Sequence, residues 1–256
     1  MREPNPALQA IDDIDPSIFD QLDKPATQRV EFPDVLVRFT ALLAVVLAAG
    51  VVGWVFLAPL IAGVSFVVFI VMLGLIVVAA ATARTLANGN TGVGIPLAFT
   101  YAAVMGAVLG AISQIFDAAF GDGIIQQAIL ATTITTAVVV AFSATPVGKR
   151  SGRAVRFFVP IAIGYLIFLV ANFVAASFFG VGDGWGFGGA GWLGILISLF
   201  GVALASWSVN IDVVAVMDNL GRETHKGVPW ALAFGLIVSI LWLYIEVLRL
   251  LARSRS

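Results

Sequence analysis

The chain has 256 residues, of which 60% are hydrophobic and 11% charged, with a mean hydropathy of +1.03. About half the charged fraction of an ordinary soluble domain is missing, which excludes a soluble globular protein. Its 14 Lys and Arg nearly balance 15 Asp and Glu, and with no Cys it has no disulfide, thiolate metal site or cysteine nucleophile.

Residues 1–37 carry Glu3, Asp12, Asp13, Asp15, Asp20, Asp23, Glu31 and Asp34 against Arg2, Lys24 and Arg29, a net of −5, so the remainder sums to +4. An acidic head on a mildly basic apolar body lacks the concentrated basic face that nucleic acid requires, and no nucleic-acid partner is expected. The segment holds Pro4, Pro6, Pro16, Pro25 and Pro33 and lacks the basic n-region and apolar core of a signal peptide. It reads as a polar cytoplasmic segment, 1–37, ahead of a transmembrane domain, 38–256. Ile14, Ile18, Phe19 and Leu22 have the spacing of one interfacial helix, with disorder as the alternative.

From Phe39 the sequence divides into seven apolar runs, at 39–58, 61–83, 95–116, 124–145, 156–179, 192–214 and 229–251. Each is near the roughly 20 residues that cross a bilayer, and backbone satisfaction in lipid makes them helices. The fold class is therefore an all-α membrane protein with seven transmembrane helices, and the lipid bilayer is its first partner. The turns between them are Pro59, Arg84–Gly94, Asp117–Gly123, the basic loop Pro146–Arg156, the Gly-rich loop Gly180–Gly191 and Asn219–Pro229.

Arg2, Lys24, Arg29, Arg38, Arg84, Lys149, Arg150, Arg153, Arg156, Arg222 and Lys226 all fall on one side of this frame, and the three opposite loops carry no base. The positive-inside rule then predicts a multi-pass protein of the inner or plasma membrane with a cytoplasmic N-terminus. Arg249, Arg253 and Arg255 break the pattern: either the last span stops short of the far side, or three charges are tolerated there.

A carboxylate inside a span costs a few kcal/mol and is a functional candidate by default. Asp212, near the cytoplasmic end of the sixth run, and Glu246, toward the far end of the seventh, are the two that qualify. Asp218 follows closer to the interface, and Arg84 ends the second run, where it could reach an acid or snorkel to the surface. The competing structural roles are an i,i+3 ion pair of Glu246 with Arg249 and a headgroup-level position for Asp212. If the two acids approach, like charge and desolvation make them a proton-sensitive gate or a hard-cation site, with Ca²⁺ or H⁺ as the species handled. Straight antiparallel helices put them at different depths, so contact requires tilt, a re-entrant helix or a bridging group.

Gly106, Gly110 and Ala111 in the third run, and Ala128, Thr132, Thr135 and Thr136 in the fourth, have the spacing of close helix packing. Other motifs fail. Gly180–Asp183 matches the GxGD pattern of intramembrane aspartyl proteases, but it lies in a loop and the chain has no Tyr-Asp partner. Gly148–Ser151 resembles the end of a P-loop, with Ser143 where the first glycine belongs. His225 is the single histidine, which disfavours a His-based metal site or a Ser-His triad, and it reads as solvated.

The tail Trp242–Leu251 (WLYIEVLRLL) resembles the last helix of the Bax inhibitor family, the transmembrane Bax-inhibitor-motif or YccA-like proteins, and Tyr101–Phe116 resembles its small-residue helix. The resemblance covers about residues 35–256. It implies six helices around a central seventh and a pH-sensitive calcium leak through a two-acid site, with no enzymatic activity and no cofactor beyond Ca²⁺ as permeant ion. Glu246 matches the acid of the last helix, and Asp212, or else Asp218, that of the sixth. Arg84 loosely matches a second-helix arginine that pairs with the sixth-helix acid, and Met105 stands where bacterial relatives carry glutamate. The alternative expectation is a non-transporting regulator whose acidic head binds a membrane protease or a stress-response complex.

Overall fold

The computed structural model describes residues 27–61, 65–121 and 123–256. In chain order the elements are β1 (Thr27–Arg29), α1 (Phe32–Val52, continuing through a π-helical turn to Ile61), α2 (Ser65–Ala87), α3 (Thr91–Phe120) and α4 (Ile124–Ser143). Then come a short α5 (Pro146–Gly152), α6 (Val155–Phe179), α7 (Trp192–Asn219), β2 (Glu223–His225) and α8 (Gly227–Arg255). Seven of these helices, all but α5, are long and apolar enough to cross a membrane, and each corresponds to one apolar run of the sequence.

The helix ends follow local capping chemistry. Asn90 begins α3 by accepting a hydrogen bond from the Val93 amide at 3.3 Å. Thr145 caps α5 at 3.0 Å from the Gly148 amide, with Pro146 in the first turn. That cap makes a helix of a stretch expected to be a loop. Pro33 and Asp34 likewise start α1 at Phe32, inside the segment read as polar head, because both suit a helix N-terminus. The sequence did not suggest the antiparallel ribbon of β1 and β2, with Gln28 opposite Thr224, which ties the chain before α1 to the turn before α8. The candidate helix around Ile14–Leu22 lies outside the described residues.

The ribbon, the Asn88–Asn90 turn and α5 share one end of the bundle, here the head end; the Gly121–Gly123 and Gly180–Gly191 turns form the far end. Gly89 touches His225 across the head end. At the other end Arg255 donates to the carbonyls of Phe120 and Gly121, and Arg253 to those of Gly194 and Trp185. The 29 residues of α8 extend about 43 Å at 1.5 Å per residue, long enough to cross a bilayer. The terminal arginines bind turn carbonyls there.

α8 is the most buried of the seven spans and α6 the least. α8 packs on α1, α2, α3, α4 and α7, and meets α6 through Tyr165 and Glu246. The glycines of α3 bring its backbone against α1: a Cβ on Gly110 would enter the Gly50 backbone, one on Gly106 that of Val46, and one on Gly53 that of Ala107. The small residues therefore serve packing, and their partner is the first helix. Gly110→Val should destabilise the bundle by about 1–3 kcal/mol through overpacking. The expected result is a lower thermal midpoint for the detergent-extracted protein; an unchanged midpoint would mean that this approach is dispensable.

Candidate functional site

Glu246 is 1% exposed and lies where α6, α7 and α8 meet. Its Oε2 accepts from the Tyr165 hydroxyl at 3.0 Å and from Arg249 Nη1 at 3.0 Å; its Oε1 accepts from Trp242 Nε1 and again from Arg249 Nη1, both at 3.2 Å. A Cβ at position 201 would strike both Tyr165 Oη and the Glu246 carboxylate, so the glycine leaves them room opposite the acid on α7. The ion pair with Arg249 at i+3 is thus present, and every partner of the carboxylate is a donor.

Asp212 has a different setting. Its Oδ2 accepts from Ser239 on α8, whose hydroxyl is also 2.7 Å from Ser208 on α7. Among the described residues no cation pairs with it. Ser239 can donate to the ionised acid or accept from the protonated one, so both states are hydrogen-bonded. Asp212 lies level with Gly235 and Ser239, and Glu246 level with Gly201. On antiparallel helices these intervals separate the carboxylates by about 10 to 16 Å along the axis. The structure does not bring the two acids together, since α7 and α8 are each continuous helices and the acids sit at different levels along them; a single ion cannot bridge them.

Asp218 is committed elsewhere. Arg153, just past α5, holds it with two hydrogen bonds, at 2.8 and 2.5 Å, and the carboxylate raises Arg153 above its ordinary pKa. Arg84 is exposed in the last turn of α2, where its charge suits the helix C-terminus; among the described residues it pairs with no acid. Met105 is buried in the apolar core beside Tyr101 and Leu109. His225, expected to be solvated, is half-buried, with Nδ1 enclosed against Gly89 and Gly227 because the ribbon presses it onto the neighbouring turn. Gly148 belongs to a packing contact with Phe142 and not to a phosphate loop.

A family model described as Bax inhibitor 1 like matches residues 14–256. The chain belongs to that family. A search of curated proteins finds no match. In this Bax inhibitor 1 like chain the buried acid of the last helix lies in the WLYIEVLRLL stretch, with Trp242 and Arg249 of the same stretch as its own hydrogen-bond partners.

Several positions other than Arg253 were not singled out from the sequence. Tyr165 and Gly201 complete the Glu246 cluster, and Ser208 and Ser239 hold Asp212. Arg253, 3% exposed, donates to the Gly194 carbonyl at 2.6 Å, Ser198 Oγ at 3.0 Å and the Trp185 carbonyl at 3.1 Å. It fastens the Gly-rich turn to the end of α8. Asn210 joins Ser143 Oγ at 2.6 Å to the Gly148 carbonyl at 3.1 Å, linking α7 with α4 and α5. The only sequence signal for these contacts is a polar or glycine residue inside an apolar run.

Removing one member of a buried pair leaves an uncompensated charge, at a cost of about 3–5 kcal/mol, whereas replacing both is far milder. Arg249→Leu should therefore lower the thermal midpoint more than the double variant Arg249→Leu/Glu246→Leu. A double variant at least as unstable as Arg249→Leu would refute a structural ion pair.

Proposed function

We propose that this Bax inhibitor 1 like membrane protein is a pH-sensitive cation leak, with Ca²⁺ as the permeant ion, in which Asp212 is the responsive carboxylate and Glu246 a fixed one. The observation that carries this reading is the contrast between the two acids. Glu246 is held by donors alone, from Arg249, Tyr165 and Trp242, while Asp212 has hydroxyl partners that serve both protonation states. An unpaired carboxylate inside a span is a functional candidate and a suitable oxygen ligand for a hard cation. Protonation removes the charge that attracts the cation, so flux follows the ionised fraction of Asp212. The central α8 of this reading is supported by its contacts with every other span.

The orientation proposed puts the head end in the cytoplasm of a cell or inner membrane, because Arg84, Lys149, Arg150, Arg153, Arg156, Arg222 and Lys226 gather there. The mechanism is transport without catalysis and needs no cofactor. Purified protein in liposomes loaded with a calcium indicator tests it. Asp212→Asn should abolish the pH dependence of calcium entry, and Glu246→Gln should chiefly lower stability. PH dependence that survives Asp212→Asn sinks the reading.

The β1–β2 ribbon favours a second role, in which the acidic segment before Thr27 is presented at the head end to a membrane protease or stress-response complex. Deletion of residues 1–26 leaves the ribbon and the first turn of α1 intact. Under the regulatory reading it should abolish co-purification of the partner with no change in calcium flux; retained co-purification counts against that role.

A further inference from the structure

The starts of α1 and α8 leave a groove of about 350 Å³ at the head end, lined by Pro33, Asp34, Val37, Arg38, Ala41 and Trp230. Pro33, Val37 and Ala41 repeat at i, i+4 and i+8, so they share one face of α1, and Trp230 of α8 closes the other side. Val37 is 68% exposed, so the described residues leave this apolar face largely uncovered. Charge stands on the rim. Arg38 pairs with Asp34 at 3.2 Å, and its guanidinium lies 5.5 Å from the centre of the Trp230 ring. Lys226, the N-cap residue of α8 four positions before Trp230, is exposed and has no ion pair among the described residues. The first turn of α8 carries no acid either, although the dipole at a helix start favours one.

The chain itself arrives beside this groove. Gln28 donates to Asp34 Oδ2 at 2.7 Å, and Thr27 pairs with His225, next to Lys226. The residues before Thr27 therefore set out from the rim. Among them Ile18, Phe19 and Leu22 have the i, i+1, i+4 spacing of one apolar helical face, with Asp20 and Asp23 off that face. Residues 1–26 carry six acids against Arg2 and Lys24, opposite in sign to the unpaired Lys226. Leu22 is five residues from Thr27 and Phe19 eight, which at about 3.4 Å per residue gives reaches of up to about 17 and about 27 Å. From Pro33 to Ala41 the groove runs only about 12 Å along α1.

We propose that Ile18–Asp23 of this same chain occupies the groove, with Phe19 and Leu22 against Val37 and Trp230 and the two aspartates at Lys226. The β1–β2 ribbon makes the encounter intramolecular, at an effective concentration on the order of millimolar, so a small contact suffices. Docked in this way the segment straps α1 to α8 and leaves Asp12, Asp13 and Asp15 outside the groove. The surface is separate from Asp212, and the proposal does not rest on the transport reading.

Because the chain has no native cysteine, introduced pairs report one contact each. Full-length protein carrying Leu22→Cys and Val37→Cys, in nanodiscs of zwitterionic phospholipid, is treated with a mild oxidant and the rate of disulfide formation is measured. Leu22→Cys with Leu36→Cys is the control, since Leu36 has the same tether length and is 48% exposed but does not line the groove. The Val37 pair should form about ten times faster, the ratio a preference of about 1.4 kcal/mol produces. Ala41→Phe fills the groove and should bring the two rates together. Asp20→Lys/Asp23→Lys should do the same, and adding Lys226→Asp should restore part of the difference, so the test does not depend on one variant folding. Equal rates for the two pairs in the otherwise unaltered chain, the outcome if a lipid chain fills the groove instead, would overturn the proposal. So would a preference that survives both Ala41→Phe and the reversed aspartates, or reversed aspartates that Lys226→Asp does not rescue.

Discussion

A carboxylate in the middle of a helix bundle has no water to hydrate it, and the organisation of the last three spans follows from how Glu246 is satisfied. Four hydrogen bonds reach it: two from Arg249 and one each from Tyr165 and Trp242. Two donors lie on α8 itself, at i−4 and i+3, so half of the cluster is written into one helical stretch. Tyr165 comes from α6, and the clearance it needs comes from Gly201 on α7. The far-end half of α8 therefore has one orientation in which its charge is solvated by protein, and that orientation positions the neighbouring helices.

The same economy governs the arginines after it. Near a membrane surface a guanidinium can extend to water, but Arg253 turns inward and becomes the hydrogen-bond donor for a turn rich in glycine. That turn has few side chains with which to hold itself, and the Trp185 ring lies over the same guanidinium at 5.5 Å. Charges that seemed misplaced for an odd seventh span serve as fasteners for the far end. At the head end the β1–β2 ribbon and the Asn210–Ser143–Gly148 link play the equivalent part.

Against this background Asp212 differs from the other buried charges. Where Glu246 meets only donors, Asp212 meets hydroxyls, which are donors and acceptors at once. Depth separates it from Glu246, so the two acids do not form a dyad.

The seven spans were legible in the sequence because hydrocarbon demands apolar length and internal hydrogen bonding, constraints that act on each segment by itself. The ion pair of Glu246 with Arg249 was legible for the same reason, since i,i+3 geometry is local to one helix. Family membership was carried by that same stretch and holds over residues 14–256. The meeting of Tyr165 and Gly201 with Glu246, the hydroxyls around Asp212, and the groove between α1 and α8 were not legible. Each depends on the rotation and depth at which separate helices face one another, and that is set by side-chain packing across the bundle, not by any periodicity within a segment. The sequence alone thus determined a seven-helix membrane protein with two acids inside its spans; only the tertiary structure decided that Glu246 meets Arg249, Tyr165 and Trp242, that Asp212 meets hydroxyls, and that the two stand too far apart to share an ion.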